Sequence, residues 1–166
     1  MMNNFEERLA SVRQGIMKRA AAMKEKAKKQ GFEFKPFSRK QKQVLTWWCP
    51  SSPVKDKDGI IADGAIRSGK TLCMSLSYVL WAMESFNQQN FGMAGKTIGS
   101  FRRNVLFWLK LMLKSRGYQV VDHRSDNLIV VSKGDTQNFF YIFGGKDERS
   151  QDLIQGLTLA GMFFDE

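Results

Sequence analysis

The sequence predicts an α/β protein built on a mainly parallel sheet, and three observations carry that expectation. The run Gly64-Ala65-Ile66-Arg67-Ser68-Gly69-Lys70-Thr71 fills every required position of the pattern G-x-x-x-x-G-K-[ST]. It follows Gly59-Ile60-Ile61-Ala62-Asp63, which reads as a short buried strand. It opens a stretch from Lys70 to Phe86 in which Leu72, Leu76, Val79, Leu80 and Met83 recur at helical spacing. Near the end of the chain a second apolar run, Gly161-Met162-Phe163-Phe164, delivers Asp165 and Glu166. Strand, glycine loop and helix in that order form the phosphate-loop unit of nucleotide-binding proteins.

At 166 residues and 43% hydrophobic the chain is long enough for one core-forming domain and too short for two. The expected division is a basic helical extension over residues 1–31 and an ATPase-type domain over 32–166. There is no run of about 18 apolar residues or more, and Met1-Met2-Asn3-Asn4-Phe5-Glu6-Glu7 lacks an apolar signal core, so an intracellular protein without a membrane span is expected. Cys49, Cys73 and the single His123 cannot build a disulfide framework or a zinc site. A net charge of +10 points to a polyanionic partner.

Each element follows from local pattern. Residues 6–29 are rich in helix formers, with Leu9, Val12, Ile16 and Ala20 on one stripe, and Gly31 ends the run. Phe32, Phe34 and Phe37 around Pro36 suggest an extended segment. Ser38 with Gln41 three residues on is a capping box for a helix whose apolar side is Val44, Leu45, Trp47 and Trp48. Phe91 to Ile98 reads as a strand, and Ser100 as the cap of a helix from about Phe101 to Arg116 that Gly117 stops. Tyr118–Asp122, Leu128–Lys133 and Asn138–Phe143 are β-rich runs separated by polar turns, a meander or hairpin pair. Glu148 to Gly156 is a short helix or ordered loop.

The chemistry follows from the charge of a nucleotide. Gly64 and Gly69 let the backbone of Ala65, Ile66, Arg67 and Ser68 turn its N–H groups toward phosphate oxygens, backed by a helix N-terminus. Lys70 would reach the β- and γ-phosphates of ATP, and Thr71 would place its hydroxyl on Mg²⁺. Arg67 would touch the γ-phosphate or sense its loss. Gln41 has two readings: a helix cap, or an amide that reads the edge of adenine. An apolar strand ending in Asp-Glu supplies the other half of such a site, with Asp165 completing the metal shell and Glu166 polarising the attacking water. The Asp-Glu pair marks the P-loop ATPases that move polymers, whose extra strand lies between the two motifs. The expected fold is therefore a RecA-like, three-layer P-loop NTPase that ends after its Walker B strand.

Four stretches together resemble the large terminase subunit of tailed bacteriophages, of the type found in PBSX-like phages. They are Phe34-Lys35-Pro36-Phe37-Ser38-Arg39-Lys40-Gln41, Ile60 to Thr71, Gly95-Lys96-Thr97-Ile98-Gly99-Ser100, and Ile154-Gln155-Gly156-Leu157-Thr158 leading to Phe163-Phe164-Asp165-Glu166. The resemblance implies an ATPase that drives double-stranded DNA into a procapsid in the host cytoplasm, as a homo-oligomeric ring on the portal protein beside a small terminase subunit. It implies Gln41 as the adenine reader, Lys70 and Thr71 as phosphate and Mg²⁺ ligands, Arg67 as the loop arginine, Asp165 as the metal carboxylate and Glu166 as the catalytic one. Arg102, Arg103 and Arg149 are equal candidates for an arginine acting in a neighbouring subunit. Family members continue past Walker B into a coupling motif and a metal-dependent nuclease, so a fragment without nuclease activity is expected here. A helicase-like ATPase, or a nucleotide- and DNA-binding fragment without turnover, are the alternatives.

Overall fold

The helix that starts at Arg39 is fixed by two side chains at its start, Ser38 and Gln41. In this computed structural model, residues 36–146 and 156–165 are described. Ser38 Oγ accepts from Gln41 N at 3.3 Å while Gln41 Oε1 accepts from Ser38 N at 2.8 Å, so the expected capping box forms and opens α1, Arg39–Leu45. The expected N-terminal helix, the element expected from Glu148, Arg149 and Glu166 lie outside the described residues.

Gly69, with φ +81°, turns the chain into α2, Lys70–Ser85, which buries Cys73, Leu76, Val79, Ala82 and Met83 at the helical spacing the sequence predicts. Ser77 Oγ donates to Val44 O at 2.6 Å and ties α2 to α1. Strand β1, Asn90–Gly95, stops earlier than expected. A Cβ on Gly95 would lie 2.7 Å from the Phe101 ring, so only glycine lets the next helix fold back this closely.

That helix is capped by Thr97 and not by Ser100. Thr97 has extended backbone, and its Oγ1 accepts from Ser100 N at 3.1 Å, which makes Ser100 the residue being capped. The helix runs as α3, Ile98–Phe101, then as a π-helical segment, Arg102–Leu106, closed by Phe107 N donating to Arg102 O, and then as α4, Phe107–Ser115. Side-chain spacing carries no signal for the wider turn. A single π turn inside a helix re-aims the side chains around it.

Three more strands follow: β2, Gln119–His123; β3, Leu128–Lys133; and β4, Thr136–Gly144. Later in the chain comes β5, Gly161–Phe164. They assemble in the order β2-β3-β4-β1-β5. β1 pairs parallel with both β4 and β5, while β2-β3-β4 is antiparallel, so the sheet is mixed and not mainly parallel. The turns explain the antiparallel half. Asn127 and Gly134 take positive φ in connections far too short for a parallel crossover.

One face of the sheet carries the core. Tyr78 and Trp81 of α2 meet Phe91 edge-on, Tyr78 also contacts Phe140 and Phe163, and Phe101 contacts Phe163. Phe91, Met93, Val131, Phe140 and Ile142 on this face are each at most 1% exposed. The opposite face carries Val121 at 50% exposure and Phe164 at 74%. Among the described residues the architecture is two layers, a mixed sheet and helices on one side, where three layers were expected.

The stretch from Gly59 to Asp63 also departs from expectation. It is not a strand, and Ile61 is 98% exposed. A strand exists only through pairing. No described strand lies beside this segment, and the far edge of β5 is likewise unpaired among the described residues.

Two polar side chains organise the core edge. Asn138, fully buried, donates through Nδ2 to Ala82 O at 3.0 Å and Phe86 O at 2.9 Å, and its Oδ1 accepts from Gln89 N at 3.0 Å. It thereby satisfies the end of α2 and the turn into β1. Asn138→Ala is expected to lower stability by about 2 kcal/mol, because Phe86 O and Gln89 N lose the partner that this fully buried side chain gives them, while Ala82 O keeps its bond from Phe86 N. A thermal melt unchanged from the parent would refute this. Asp122 receives Arg102 Nη1 at 2.6 Å and Lys110 Nζ at 2.8 Å. Partial burial raises its carboxyl pKa, but the hydrogen bonds from Lys110 and Arg102 outweigh that and hold it below the usual carboxylate range. No described helix is long and apolar enough to cross a membrane.

Candidate functional site

The site is built from the ends of α1, α2 and β5. Asp63 Oδ1 accepts from Gly64 N at 2.7 Å, and Ser68 N donates to Ala65 O at 3.3 Å, which closes the glycine loop on itself. Arg67, at φ +64°, stands at the loop tip in the left-handed region. The 16-residue helix α2 then begins with no side-chain cap and no acidic residue in its first turn. Its first N–H groups therefore present a positive end toward the loop, with no acidic residue of the helix itself beside them.

Lys70 folds back over the loop, its ammonium donating to Gly64 O at 2.6 Å and Ala65 O at 3.0 Å. Thr71, the next residue, points to the other side. Its Oγ1 donates to Asp165 Oδ1 at 2.8 Å, joining residues 94 positions apart. Asp165 is delivered there because its backbone N–H continues the β5 ladder onto Ala94 O at 2.8 Å. Gln41 reaches the loop from α1: Nε2 donates to Ser68 O at 3.0 Å while Oε1 keeps its capping bond to Ser38. Both ends of the amide are engaged, so Gln41 clamps the glycine loop to the start of α1. A Cβ on Gly69 would stand 3.0 Å from Gln41 Nε2, a second reason for glycine there.

A cleft of about 750 Å³ opens beside this cluster, lined by Gln41, Gly64, Ala65, Ser68 and Lys70 together with an apolar wall that includes Trp47 and Met74. Such a volume accommodates a cofactor-sized molecule. The structure brings Gln41, Gly64, Ala65, Ser68 and Lys70 around the cleft, with Gly69, Thr71 and Asp165 behind them. Ile66, 91% exposed, and Arg67, also exposed, do not line it. The apolar wall was missed in the sequence. Cys73 and Met74 also line the cleft, three and four residues past Lys70, a spacing that could have flagged them. Trp47 gives no such signal, because an aromatic after a helix reads as core. Burial pushes the Cys73 thiol up, so it sits against the cleft as a neutral group.

The donor set at Thr71 and Asp165 is one hydroxyl and one carboxylate. Those are hard oxygen ligands, and too few to form a closed cage. Among the described residues no cluster of three or more His, Cys, Asp or Glu side chains could hold a metal alone.

Fold and loop define an α/β protein whose glycine loop precedes a helix, with its site at the carboxyl ends of parallel strands. The chain is similar to the large terminase from the thermophilic bacteriophage D6E. One crystal form superposes with a TM-score of 0.78 at 69% identity, covering 80% of this chain and 32% of that one. The same protein in complex with ADP gives 0.74 at 68%, covering 78% and 32%, and in complex with ATP-γ-S 0.72 at 64%, covering 79% and 31%. The chain belongs to the phage large-terminase family. It spans about a third of the length of the terminases it matches. No protein-family model and no curated protein matches the sequence.

Proposed function

We propose that this chain binds Mg-ATP in the cleft beside Lys70 and contributes the ATPase part of a terminase that drives double-stranded DNA into a procapsid. The observation that carries the reading is the Thr71–Asp165 contact at 2.8 Å, with the Lys70 ammonium in the loop ahead of it. A hydroxyl and a carboxylate from distant parts of the chain converge where a P-loop site needs its metal-side pair. The D6E complexes with ADP and ATP-γ-S support a nucleotide as the ligand.

In this reading the phosphates displace the two carbonyls now held by Lys70, and the free N–H groups at the start of α2 receive the phosphate oxygens. Thr71 and Asp165 would hold Mg²⁺, which neutralises charge on the transferred phosphoryl group. The apolar wall beside Gln41 would take the base. Glu166, next in the chain, is assigned the attacking water, and Arg67 moves in from solvent to the γ-phosphate. The site of action is the host cytoplasm, on a procapsid, in a ring on the portal with a small terminase subunit.

Titration calorimetry with ATP-γ-S, with and without Mg²⁺, is the test. The parent is expected to bind tighter with Mg²⁺, and Asp165→Ala to lose most of that difference while keeping its metal-free affinity. A parent that does not bind ATP-γ-S, or an Asp165→Ala protein with full Mg²⁺ dependence, would overturn the assignment.

Gln41 is assigned the adenine edge as well as its present clamp. Gln41→Ala is expected to narrow the preference for ATP over GTP about tenfold, since one lost pair in a dry site costs about 1–3 kcal/mol. An unchanged preference in competition binding leaves Gln41 as cap and clamp alone.

A further inference from the structure

Three cations line the carboxyl edge of the sheet next to this site, and the proposed function uses none of them. β4, β1 and β5 are parallel neighbours, so their last residues stand side by side, about 5 Å from strand to strand. Asp165 leaves β5, Lys96 leaves β1, and Lys146 follows the end of β4 by two residues. The backbone joins them: Asp165 N donates to Ala94 O at 2.8 Å and Gly145 N to Gly95 O at 2.9 Å. Arg103 comes from the π segment above, and its Nη1 folds back over the start of α3, 3.6 Å from where a Cβ on Gly99 would be. That places its guanidinium above the turn after Lys96.

Lys96, Arg103 and Lys146 are exposed. Among the described residues the only ion pairs are those of Asp122 with Arg102 and Lys110, so these three cations have no described carboxylate partner. The neighbouring Arg102 differs, being spent on Asp122 and Asn127. The two consecutive arginines thus part, one turned into the fold and one left on the edge, as successive residues of a helix point in different directions.

We propose that Lys96, Arg103 and Lys146 form a shelf that grips the phosphate backbone of double-stranded DNA, on the same carboxyl edge of the sheet as Asp165. The proposal rests on the function proposed above and names where the polymer touches. Three exposed cations without a described carboxylate partner, along one edge of the sheet, suit a repeating phosphate charge, and they hold it without reading bases. Lys96 lies two residues after Ala94, whose carbonyl holds the Asp165 backbone, so the shelf and the metal-side carboxylate sit on neighbouring strand ends.

The test compares the parent, Lys96→Gln/Arg103→Gln/Lys146→Gln, and a control with the same number of charges removed, Lys55→Gln/Lys114→Gln/Lys133→Gln. Fluorescence anisotropy of a short duplex of arbitrary sequence is measured as a function of salt, and ATP-γ-S affinity by calorimetry. The shelf variant is expected to bind the duplex about tenfold more weakly and to lose roughly 2–3 units of the salt slope, with parental ATP-γ-S affinity and melting temperature. Equal losses in shelf and control variants, an unchanged slope, or equal weakening toward poly-glutamate as toward DNA would each overturn the shelf. A parent that binds the duplex through the shelf but not ATP-γ-S would instead sink the nucleotide reading.

Discussion

Glu166→Gln is expected to abolish steady-state ATP hydrolysis, by about 10²–10³-fold, while leaving ATP affinity within about twofold of the parent. A carboxylate that orients the attacking water interacts with the transition state and hardly with bound ATP, so its loss appears in kcat and not in binding. The same change at Asp165 behaves differently, because a metal-shell carboxylate acts on bound ligand as well. The measurement belongs in a terminase of the relatives' full length that carries this sequence, with phosphate release and ATP-γ-S binding followed in parallel. Near-parental turnover there would remove Glu166 from the chemistry. Loss of turnover together with loss of binding would make it a structural residue of the site.

Lys70→Ala is expected to weaken ATP binding by roughly tenfold to a hundredfold, the loss of a charge-assisted contact worth about 1.5–3 kcal/mol. The contacts of Lys70 within the loop add a second consequence. The ammonium now holds Gly64 O and Ala65 O, so its removal also frees the loop that shapes the cleft. Lys70→Arg separates the two effects, since it keeps the charge but cannot fit two carbonyls in the same compact geometry. An intermediate affinity is expected for it. Equal affinity for ATP in Lys70→Ala and parent, by calorimetry, would refute the phosphate-loop assignment.

Local chemistry was legible in the sequence wherever neighbouring residues settle it. Ser38 and Gln41 cap a helix because two side chains three positions apart meet across its first turn. The helix after Gly69 shows its buried stripe in advance, and the turns at Asn127 and Gly134 announce an antiparallel meander. Even the meeting of Thr71 with Asp165 could be expected, since a glycine loop with Lys-Thr calls for a distant carboxylate at a strand end. Other residues lack such local signals. Ser100 has the chemistry of a cap, but Thr97 takes the role once Gly95 lets Phe101 fold back, and that close approach is a tertiary event. Consecutive arginines at 102 and 103 look equivalent until the fold brings Asp122 of β2 against one of them.

By itself, then, the sequence determined the helices after Ser38 and Gly69, the β-rich runs from Phe91 onward, and which residue types can meet a phosphate and its metal. These depend on periods of two and 3.6 residues and on side chains a turn apart. Only the tertiary structure decided that β1 inserts between β4 and β5, that Gly59–Asp63 stays unpaired, and that Asn138 supports the end of α2. A strand's pattern says that one face is apolar and leaves its neighbour open. That neighbour is selected by the burial of Phe91, Phe140 and Phe163 against Tyr78, contacts between residues far apart in the chain that no local period encodes.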